Sequence, residues 1–250
     1  MDKYTVITGA SSGIGMAAAK TIARRGKNLI LIARRLERLE KLKAKISEFS
    51  DVKIEIKTAD LSCIENVYAV YLELKPYFIE TWINNAGFGI YSSVAEQDLK
   101  KIEKLISVDI TALTVFSTLY VRDYRKFSDT QLINVSSAGG YTIVPNAVTY
   151  CAAKFYVSAF TEGLARELSA EKSPLKVKVL APAATKTEFG KVASGAQSYD
   201  YDAHFHSFHT AEEMAEFLLQ LYDSDNVVGK VDRNTFDFET SGGLLPYAGK

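Results

Sequence analysis

The sequence predicts an α/β protein built on an open, doubly wound parallel sheet with helices on both faces. Short β-branched runs alternate along the chain with longer segments of helical periodicity. Runs such as NLILIA, at residues 28–33, are apolar almost throughout, which is typical of parallel strands covered on both sides. A glycine-rich turn follows the first predicted strand, at residues 4–9, and a doubly wound sheet needs such a turn after its first strand. An eight-stranded α/β barrel fits the length but does not explain this turn.

Each element follows from its own pattern. Runs that are apolar throughout, or that alternate with a period of two, predict strands at residues 4–9, 28–33, 52–60, 80–87, 131–137 and 175–182. Apolar residues that recur with the period of a helix predict helices at residues 14–26, 36–49, 62–76, 102–127 and 147–171. A glycine ends the first helix, and Ser62 is the better N-cap candidate for the third, with Asp60 as its competitor.

The composition suits one soluble domain with a substantial core, because 47% of the 250 residues are hydrophobic and 24% are charged. No linker rich in Pro, Gly and Ser divides the chain, so residues 1–250 are expected to form a single domain. Thirty basic and thirty acidic residues cancel, whereas a protein that grips nucleic acid usually carries a basic excess. We therefore expect no nucleic-acid partner.

The sequence predicts a cytoplasmic protein with no membrane partner. Its N-terminus is predicted to begin directly with a strand, without a signal peptide, and no apolar run approaches the roughly 20 residues that span a bilayer. Cys63 and Cys151 lie far apart without a partner motif, which indicates thiols in a reducing compartment. Histidines 204, 206 and 209 alternate with phenylalanines, which is more typical of packing than of a metal site, so no metal is expected.

A glycine-rich segment, TGASSGIG at residues 8–15, joins the first strand to the first helix. Gly9 permits a tight turn, while Gly13 and Gly15 allow the backbone to approach a pyrophosphate and the helix to pack on the strand. The amide groups and the dipole at a helix N-terminus favour an anion there. The segment therefore predicts a dinucleotide site in a Rossmann-type fold, with a plain glycine turn as the alternative.

Four segments occur in a specific order: TGASSGIG, then NNAG at residues 84–87, NVSS at residues 134–137 and YCAAK at residues 150–154. Together they resemble the short-chain dehydrogenase/reductase family and span most of the chain. The resemblance implies a nicotinamide cofactor and carbonyl or alcohol chemistry. It also implies a cofactor cleft lined by Gly9, Ser11, Ser12, Gly13, Ile14, Gly15, Asp60, Leu61, Asn85, Ala86, Gly87, Tyr150, Lys154, Pro182, Thr185 and Thr187.

The second strand ends in Ala33, followed by Arg34 and Arg35, where NAD-binding folds usually place an acidic residue for the ribose diol. A carboxylate would repel a 2′-phosphate, whereas a guanidinium binds it in two-point contact. We therefore predict NADP(H) as the cofactor, with NADPH preferred over NADH. The alternative is that these arginines only solvate the start of a helix, and many NADP-preferring relatives carry a basic residue where this chain has Ser12.

Tyr150 and Lys154 lie one helical turn apart, so their side chains share one face of a helix. Carbonyl reduction needs hydride on carbon and a proton on oxygen, and a phenol can donate that proton. The ammonium is expected to lower the pKa of Tyr150 from its usual value of about 10. The resemblance assigns Tyr150 as acid/base, Ser137 as the orienter of the substrate oxygen with Ser136 as the alternative, and Lys154 as pKa depressor and ribose anchor.

Two positions depart from the family pattern. Asp109 stands in SVDITAL where relatives carry Asn, whose amide supports a water linked to the lysine. A carboxylate accepts the same hydrogen bonds, and its charge favours an ammonium at Lys154, so Asp109 is a catalytic candidate, with a tolerated helix residue as the alternative. Ala183 replaces the usual glycine after the sixth strand, which bears on the local backbone path.

Residues 187–210 lose their periodicity and gather aromatic side chains, at the position where relatives carry a mobile substrate lid. Together with the expected neighbours Phe88, Tyr141, Val144 and Pro145, they favour an apolar or aromatic carbonyl compound or alcohol as substrate. The alternative is that the aromatic residues only pack the lobe down. The long helices that carry Asp109 and Tyr150 resemble those through which the family forms homodimers or homotetramers.

The sequence thus predicts an NADP(H)-dependent oxidoreductase that transfers hydride between nicotinamide and a carbonyl or secondary alcohol. One alternative is a non-catalytic NADP(H)-binding sensor or regulator on the same fold, against which the intact Ser137, Tyr150 and Lys154 argue. Another is an S-adenosylmethionine methyltransferase, which gives Tyr150 and Lys154 no task.

Overall fold

The strands lie where alternating or wholly apolar runs occur, and a C-terminal group is added to them. The computed structural model describes residues 2–248. Its strands are β1 (Lys3–Thr8), β2 (Asn28–Ala33), β3 (Ile54–Thr58), β4 (Phe78–Asn84), β5 (Gln131–Val135), β6 (Lys176–Ala181), β7 (Thr185–Lys186), β8 (His209–Thr210), β9 (Val228–Val231) and β10 (Phe238–Ser241).

The helices alternate with the strands through the first 181 residues. They are α1 (Gly13–Arg24), α2 (Leu36–Ser47), α3 (Ile64–Glu73), α4 (Leu99–Ile106), α5 (Leu113–Tyr124), α6 (Val148–Ala170), α7 (Phe189–Ser194), α8 (Tyr201–His204) and α9 (Ala211–Asp223). A π-helical segment, Ser107–Ala112, joins α4 to α5, and short 3₁₀ turns lie at Val94–Glu96 and Ala138–Gly140.

Eight strands form one sheet in the order β10-β9-β6-β5-β4-β1-β2-β3. Their pairings are parallel except for β10, which runs antiparallel to β9. The predicted doubly wound α/β sheet is confirmed, as a mostly parallel one. The chain leaves β1 towards β2 on one side and returns to β4 on the other, so a crevice opens at the carboxyl ends of β1 and β4.

β2 shows why these strands are apolar on both faces. Leu29 and Leu31 pack with α1, α2 and α9 on one side of the sheet. Ile30 and Ile32 pack with α3 and α5 on the other side. All four side chains are fully buried, as expected of a strand covered by helices on both faces.

The start of α3 differs from the prediction. The helix begins at Ile64, and its N-cap is Cys63 rather than Ser62. Ser62 instead donates its amide and hydroxyl hydrogens to Oδ1 of Asp60, at 3.1 and 2.9 Å. The expectation that Ser62 caps the helix is wrong, because the Asp60 carboxylate is the better acceptor and closes a local turn before the helix starts.

The segment Leu99–Tyr124 is continuously helical over 26 residues, and an 18-residue window within it has a mean hydropathy of 1.4, so it is long and apolar enough to cross a membrane by length and composition. The expectation that no apolar run approaches that length is therefore wrong. The helix is partly buried in the core: Phe116 and Tyr120 pack around Trp82 of β4. Its apolar residues thus serve the packing of this fold.

α9 is held against the sheet by a buried cation. Lys178 of β6 donates from Nζ to the carbonyl oxygens of Leu221, Tyr222 and Ser224, at 2.9, 2.7 and 2.6 Å. These carbonyls lie in the last turn of the helix and just past its end, where backbone carbonyls run short of amide partners; within the described chain, only that of Leu221 also accepts from a backbone amide, that of Ser224 at 3.2 Å. Burial lowers the pKa of Lys178 to about 8. The contact fixes a helix whose apolar side chains cover one face of the sheet.

Candidate active site

The crevice begins at a threonine that ties two loops together. Oγ1 of Thr8, at the end of β1, accepts hydrogen bonds from the backbone amides of Asn85 and Ala86, both at 3.0 Å. The Asn85 side chain returns a hydrogen bond to the Thr8 carbonyl at 2.9 Å. The glycine turn after β1 and the NNAG segment after β4 are therefore one rigid unit. Thr8 directly precedes the first motif glycine, and this role was not predicted from the motif.

Two of the motif glycines are required by this close packing. Gly9 has φ of +68°, and a Cβ there would lie 2.8 Å from Cα of Ala86. A Cβ on Gly15 would lie 2.4 Å from Nδ2 of Asn85. Any side chain at either position would push the two loops apart. These contacts agree with a tight turn and with close helix–strand packing.

The N-terminus of α1 presents its backbone to the crevice. The helix starts at Gly13, and the N-cap Ser12 makes no side-chain capping hydrogen bond within the described chain. Free amide groups at a helix start favour an anionic ligand. Ser11 is buried, whereas Ile14 is half-buried and packs on the core. The geometry suits the pyrophosphate of a dinucleotide.

Arg35 reaches the glycine loop from the end of β2. Its Nε and Nη2 donate to Oγ of Ser11 at 3.2 and 3.0 Å, and its Nη2 donates to Oγ of Ser12 at 2.8 Å. The guanidinium thus fills the place beside Ser12 where the sequence lacks a basic residue. A cation that bridges β2 and the glycine loop suits a phosphate on the adenosine ribose.

Arg34 points to a neighbouring cleft of about 320 Å³ that it lines with Thr58, Ala59 and Asp60. Leu61 beside it is buried. Burial raises the pKa of Asp60, but the hydrogen bonds from Ser62 and the charge of Arg34 outweigh it, so the pKa lies below its usual value. This cleft lies where the family resemblance implies the adenosine of a dinucleotide, and its lining contains none of the residues of the predicted reaction end.

Two buried asparagines align the strands that carry the reaction end. Asn84 of β4 faces Asn134 of β5, and its side chain donates to Oδ1 of Asn134 at 2.9 Å. Trp82 and Thr161 are further partners of the pair, at 2.8 and 3.0 Å. Asn84 belongs to the NNAG motif and Asn134 to the NVSS motif, and the two side chains set the register of the strands rather than line a cleft. A satisfied polar network of this kind specifies one arrangement of the two strands.

Ser137 and Tyr150 face each other beyond the end of β5. A Cβ on Gly139 would lie 3.4 Å from Oγ of Ser137 and 3.7 Å from the Tyr150 ring, so the glycine keeps both groups close. Ser136, the alternative, is buried in packing: its hydroxyl contacts the Lys154 carbonyl at 2.9 Å and Oγ of Ser158 at 2.8 Å. Of the two serines, only Ser137 is placed to meet a substrate oxygen beside Tyr150.

The pKa of Tyr150 lies well above its ordinary value. Burial of the phenol is the main cause, the facing Ser137 hydroxyl opposes it, and the charge of Asp109 raises the pKa further. The expected net lowering of this pKa by Lys154 is not seen: its Nζ lies over the ring, 5.8 Å from the centroid, but it is paired with a carboxylate, and burial dominates the pKa. Tyr150 is therefore a protonated phenol at neutral pH.

That carboxylate belongs to Asp109, in the π-helical segment. Its Oδ2 lies 3.0 Å from Nζ of Lys154, at an angle outside that of a hydrogen bond, and its Oδ1 accepts from the Phe88 amide at 3.1 Å. Burial raises the pKa of Asp109, and the Lys154 ammonium and the Phe88 amide oppose that rise. Lys154 also donates to the Val135 carbonyl at 3.2 Å. Gly87 lies directly over the pair, since a Cβ there would meet Asp109 at 2.8 Å.

The loop after β6 forms the opposite wall. The carbonyl of Pro182 accepts from the Ala138 amide at 2.7 Å, so this loop stays in register with the one after β5 despite Ala183. Thr185 donates back to the Ala183 carbonyl at 3.0 Å, and Thr187 packs its side chain against Gly13. Thr187 therefore lies opposite the amides of the glycine loop.

The predicted lid, residues 187–210, contacts the predicted reaction end through Phe189. The ring of Phe189 packs on Tyr150 with centroids 5.3 Å apart, and Gly89 leaves room for it. Phe88 and Val144 line the same cluster, whereas Tyr141 donates its hydroxyl to Glu162. Most other aromatic residues of this segment pack on each other: Tyr199, Tyr201, His204, Phe205 and Phe208. Among residues 2–248, no group of potential ligands is arranged to hold a metal ion.

The comparisons with known proteins agree with this geometry. The short chain dehydrogenase family profile matches residues 3–197. An uncharacterized oxidoreductase of Staphylococcus saprophyticus is 34% identical over 189 residues, which are 75% of this chain and 76% of that protein.

Two solved structures share the fold closely. A short-chain dehydrogenase from Sphingobium yanoikuyae in complex with NADPH superimposes with a TM-score of 0.83, 32% identity and coverage of 90% of this chain and 86% of that one. A bulky-bulky ketone specific alcohol dehydrogenase from Comamonas testosteroni has a TM-score of 0.78, 27% identity and coverage of 90% and 84%.

The fold and the crevice define an oxidoreductase on a dinucleotide-binding scaffold. The chain belongs to the short-chain dehydrogenase/reductase family, and the predicted membership is confirmed. A nicotinamide cofactor and small-molecule alcohol or ketone substrates are typical of this family.

Proposed function

We propose that the protein is an NADP(H)-dependent reductase of carbonyl compounds and dehydrogenase of secondary alcohols, with Tyr150 as the acid/base. One observation carries the proposal: a protonated, buried phenol faces Ser137 beside a crevice whose glycine loop is bridged to β2 by Arg35. The NADPH complex of the Sphingobium relative and the ketone specificity of the Comamonas relative support the same assignment.

The residues present suit a nicotinamide dinucleotide. The α1 amides at Gly13, Ile14 and Gly15 would hold the pyrophosphate, with Thr187 opposite. Asp60 and Leu61 would hold the adenine, and Lys154 the nicotinamide ribose. Asn85, Ala86, Gly87, Pro182 and Thr185 would line the walls. When bound, the cofactor supplies or accepts the hydride.

The proton chemistry falls to the chain's own side chains. Ser137 would hydrogen-bond the substrate oxygen and hold it against the Tyr150 hydroxyl. Tyr150 would give its proton to that oxygen as negative charge develops, because a neutral phenol is a general acid. Lys154 would place a positive charge over the Tyr150 ring. Phe189, which packs on that ring, must move aside for a substrate to reach the phenol. A closed lid would then exclude water.

Asp109 sets the pH range of this acid. Its carboxylate disfavours the Tyr150 phenolate, so it raises the pKa of Tyr150. In Asp109→Asn that charge is gone, the pKa of Tyr150 falls, and reduction, which needs the protonated phenol, fails at a lower pH. Because the pKa of Tyr150 lies well above its usual value, the accessible readout is alcohol oxidation, which needs the phenolate: below that pKa we expect its kcat at fixed pH to rise by roughly three- to tenfold, the effect of a pKa lowered by about half to one unit. Steady-state rates over a pH series measure the shift.

A matched control is Asp129→Asn. Asp129 is an exposed loop residue with φ of 58°, a conformation that asparagine also tolerates, so only the charge changes. Its pH profile should match that of the wild type. An unchanged rate and pH profile in Asp109→Asn would remove Asp109 from the mechanism.

The direct test of the proposed function is turnover. Purified protein is mixed with NADPH or NADH and a panel of ketones, aldehydes and diketones, and cofactor oxidation is followed. We expect turnover with NADPH, a higher kcat/KM for NADPH than for NADH, and preference for apolar or aromatic carbonyl compounds, because Phe88, Val144 and Phe189 surround Tyr150. Tight NADPH binding without turnover on any compound would favour the alternative, a sensor or regulator.

The remaining features of the proposal concern the whole chain. Residues 1–250 act as one domain with a substrate lid at about residues 187–210, and the lid's own aromatic packing supports it as a unit. Cys63 and Cys151 are both free thiols, which supports a cytoplasmic location. The protein works as a homodimer or homotetramer through its long helices, on small molecules rather than nucleic acid or membranes.

A further inference from the structure

The first residue after Thr187 places a carboxylate between two arginines. Oε2 of Glu188 lies 2.9 Å from Nη1 of Arg35, and Oε1 lies 2.7 Å from Nη1 of Arg38. All three side chains are a little over two-fifths exposed. Glu188 is 153 residues from Arg35 in the chain, and the contact joins the start of the lid to the start of α2.

Glu188 uses the same guanidinium that the cofactor needs. Arg35 donates hydrogen bonds from Nε and Nη2 to Ser11 and Ser12 of the glycine loop, and its remaining nitrogen, Nη1, donates to Glu188. A 2′-phosphate on the adenosine ribose would approach this guanidinium with its own negative oxygens. Carboxylate and phosphate are alternative partners for one arginine fork, and they repel each other when they share it.

The hydrogen bond to Arg38, with that to Arg35, holds the pKa of Glu188 below its usual value, so the carboxylate is charged at neutral pH. Arg38 lies one helical turn further along α2, so it remains an ion-pair partner for the Glu188 carboxylate when a phosphate displaces Glu188 from Arg35. When a phosphate takes the place of Glu188 on Arg35, the carboxylate therefore keeps an ion pair. The repulsion between the phosphate and the nearby Glu188 carboxylate still weakens the attraction between the phosphate and Arg35.

We propose that Glu188 is a specificity-determining residue that competes with the 2′-phosphate for Arg35 and thereby narrows the preference for NADP(H) over NAD(H). The inference rests on the proposed function, because it assumes that Arg35 binds this phosphate. It assigns to one lid residue a role in cofactor choice, at the opposite end of the crevice from the reacting groups.

The test compares Glu188→Gln with wild type. The amide keeps the size and hydrogen-bonding of the side chain and removes only its charge. Dissociation constants for NADPH and NADH are measured by fluorescence titration. We expect the constant for NADPH to fall by about five- to tenfold, on the scale of one charge-assisted contact at a half-exposed site. The constant for NADH should stay within about twofold, since NADH lacks the phosphate.

Asp202→Asn is the matched control. It removes one lid carboxylate that lies 3.7 Å from Lys186 and away from Arg35, so it reports the effect of lid charge alone. Its NADPH to NADH ratio should equal that of the wild type. An unchanged ratio in Glu188→Gln, or an equal gain for both cofactors, overturns the proposal.

The dissociation constants of the wild type for NADPH and NADH show whether a negative result concerns only the role of Glu188 or the proposed NADP(H) preference as well. If wild type binds NADPH more tightly than NADH and Glu188→Gln leaves the ratio unchanged, only the role of Glu188 is lost. If wild type does not distinguish the two cofactors, the NADP(H) preference itself fails and the inference fails with it.

Discussion

Tyr150→Phe is expected to abolish turnover while the protein still binds its cofactor. The substitution removes the hydroxyl that donates the proton and keeps the ring that packs on Phe189. General acid catalysis typically contributes 10²- to 10⁴-fold, so we expect kcat for ketone reduction to fall by about 10³-fold. The dissociation constant for NADPH should stay within about threefold. Single-turnover rates and fluorescence titration of the same preparation give both quantities.

Tyr68→Phe is the control for this substitution. Tyr68 lies on α3 and is about half exposed, so the loss of its hydroxyl should leave the rate unchanged. A fully active Tyr150→Phe enzyme would refute the assignment of the acid. A variant that loses NADPH binding as well as turnover would instead mean that Tyr150 acts in binding.

Arg35→Ala is expected to reverse the cofactor preference. It removes the guanidinium that bridges Ser11 and Ser12, and it leaves Glu188 without its counter-charge on that side. Both changes disfavour a 2′-phosphate. We expect KM for NADPH to rise by roughly 30- to 100-fold, the scale of a lost two-point arginine–phosphate contact, with little change for NADH.

Arg122→Ala is a control at an exposed position on α5, and it should leave both constants unchanged. If KM rises equally for NADPH and NADH in Arg35→Ala, the arginine only holds the glycine loop in place. Equal affinity of the wild type for both cofactors would contradict the preference itself.

Much of the fold follows from periodicity. The apolar run at β2 has the same limits in the sequence and in the structure, because after Asn28 at its start a strand buried on both faces has no polar residue to obscure the pattern. The C-terminal part was not predicted. α9 carries a full capping box between Thr210 and Glu213 ahead of an apolar face, which is a readable signal. β9 and β10 are only four residues each, and short strands give a weak pattern.

The site was predictable where its residues share a motif. Tyr150 and Lys154 sit one turn apart on α6, and the glycine loop is contiguous. The electrostatics of the site were not predictable from motif spacing, because they depend on contacts between residues that are distant in sequence. The charge contact of Asp109 with Lys154, which spans 45 residues and needs the π-helical segment, was expected only through the family resemblance, and the contact of Glu188 with Arg35, which spans 153, was not expected at all. No spacing rule reports either contact, and none reports the burial of the phenol that chiefly raises the pKa of Tyr150.

A crystal structure of the protein with NADPH tests the central claim most directly. The account predicts the nicotinamide beside Tyr150, with room for one carbonyl group between the ring and the phenol, so that reacting atoms come within about 3–3.5 Å. It also predicts the 2′-phosphate on Arg35, with Glu188 turned to Arg38. A nicotinamide bound away from Tyr150 and Ser137, or a dinucleotide outside the crevice between β1 and β4, would contradict it.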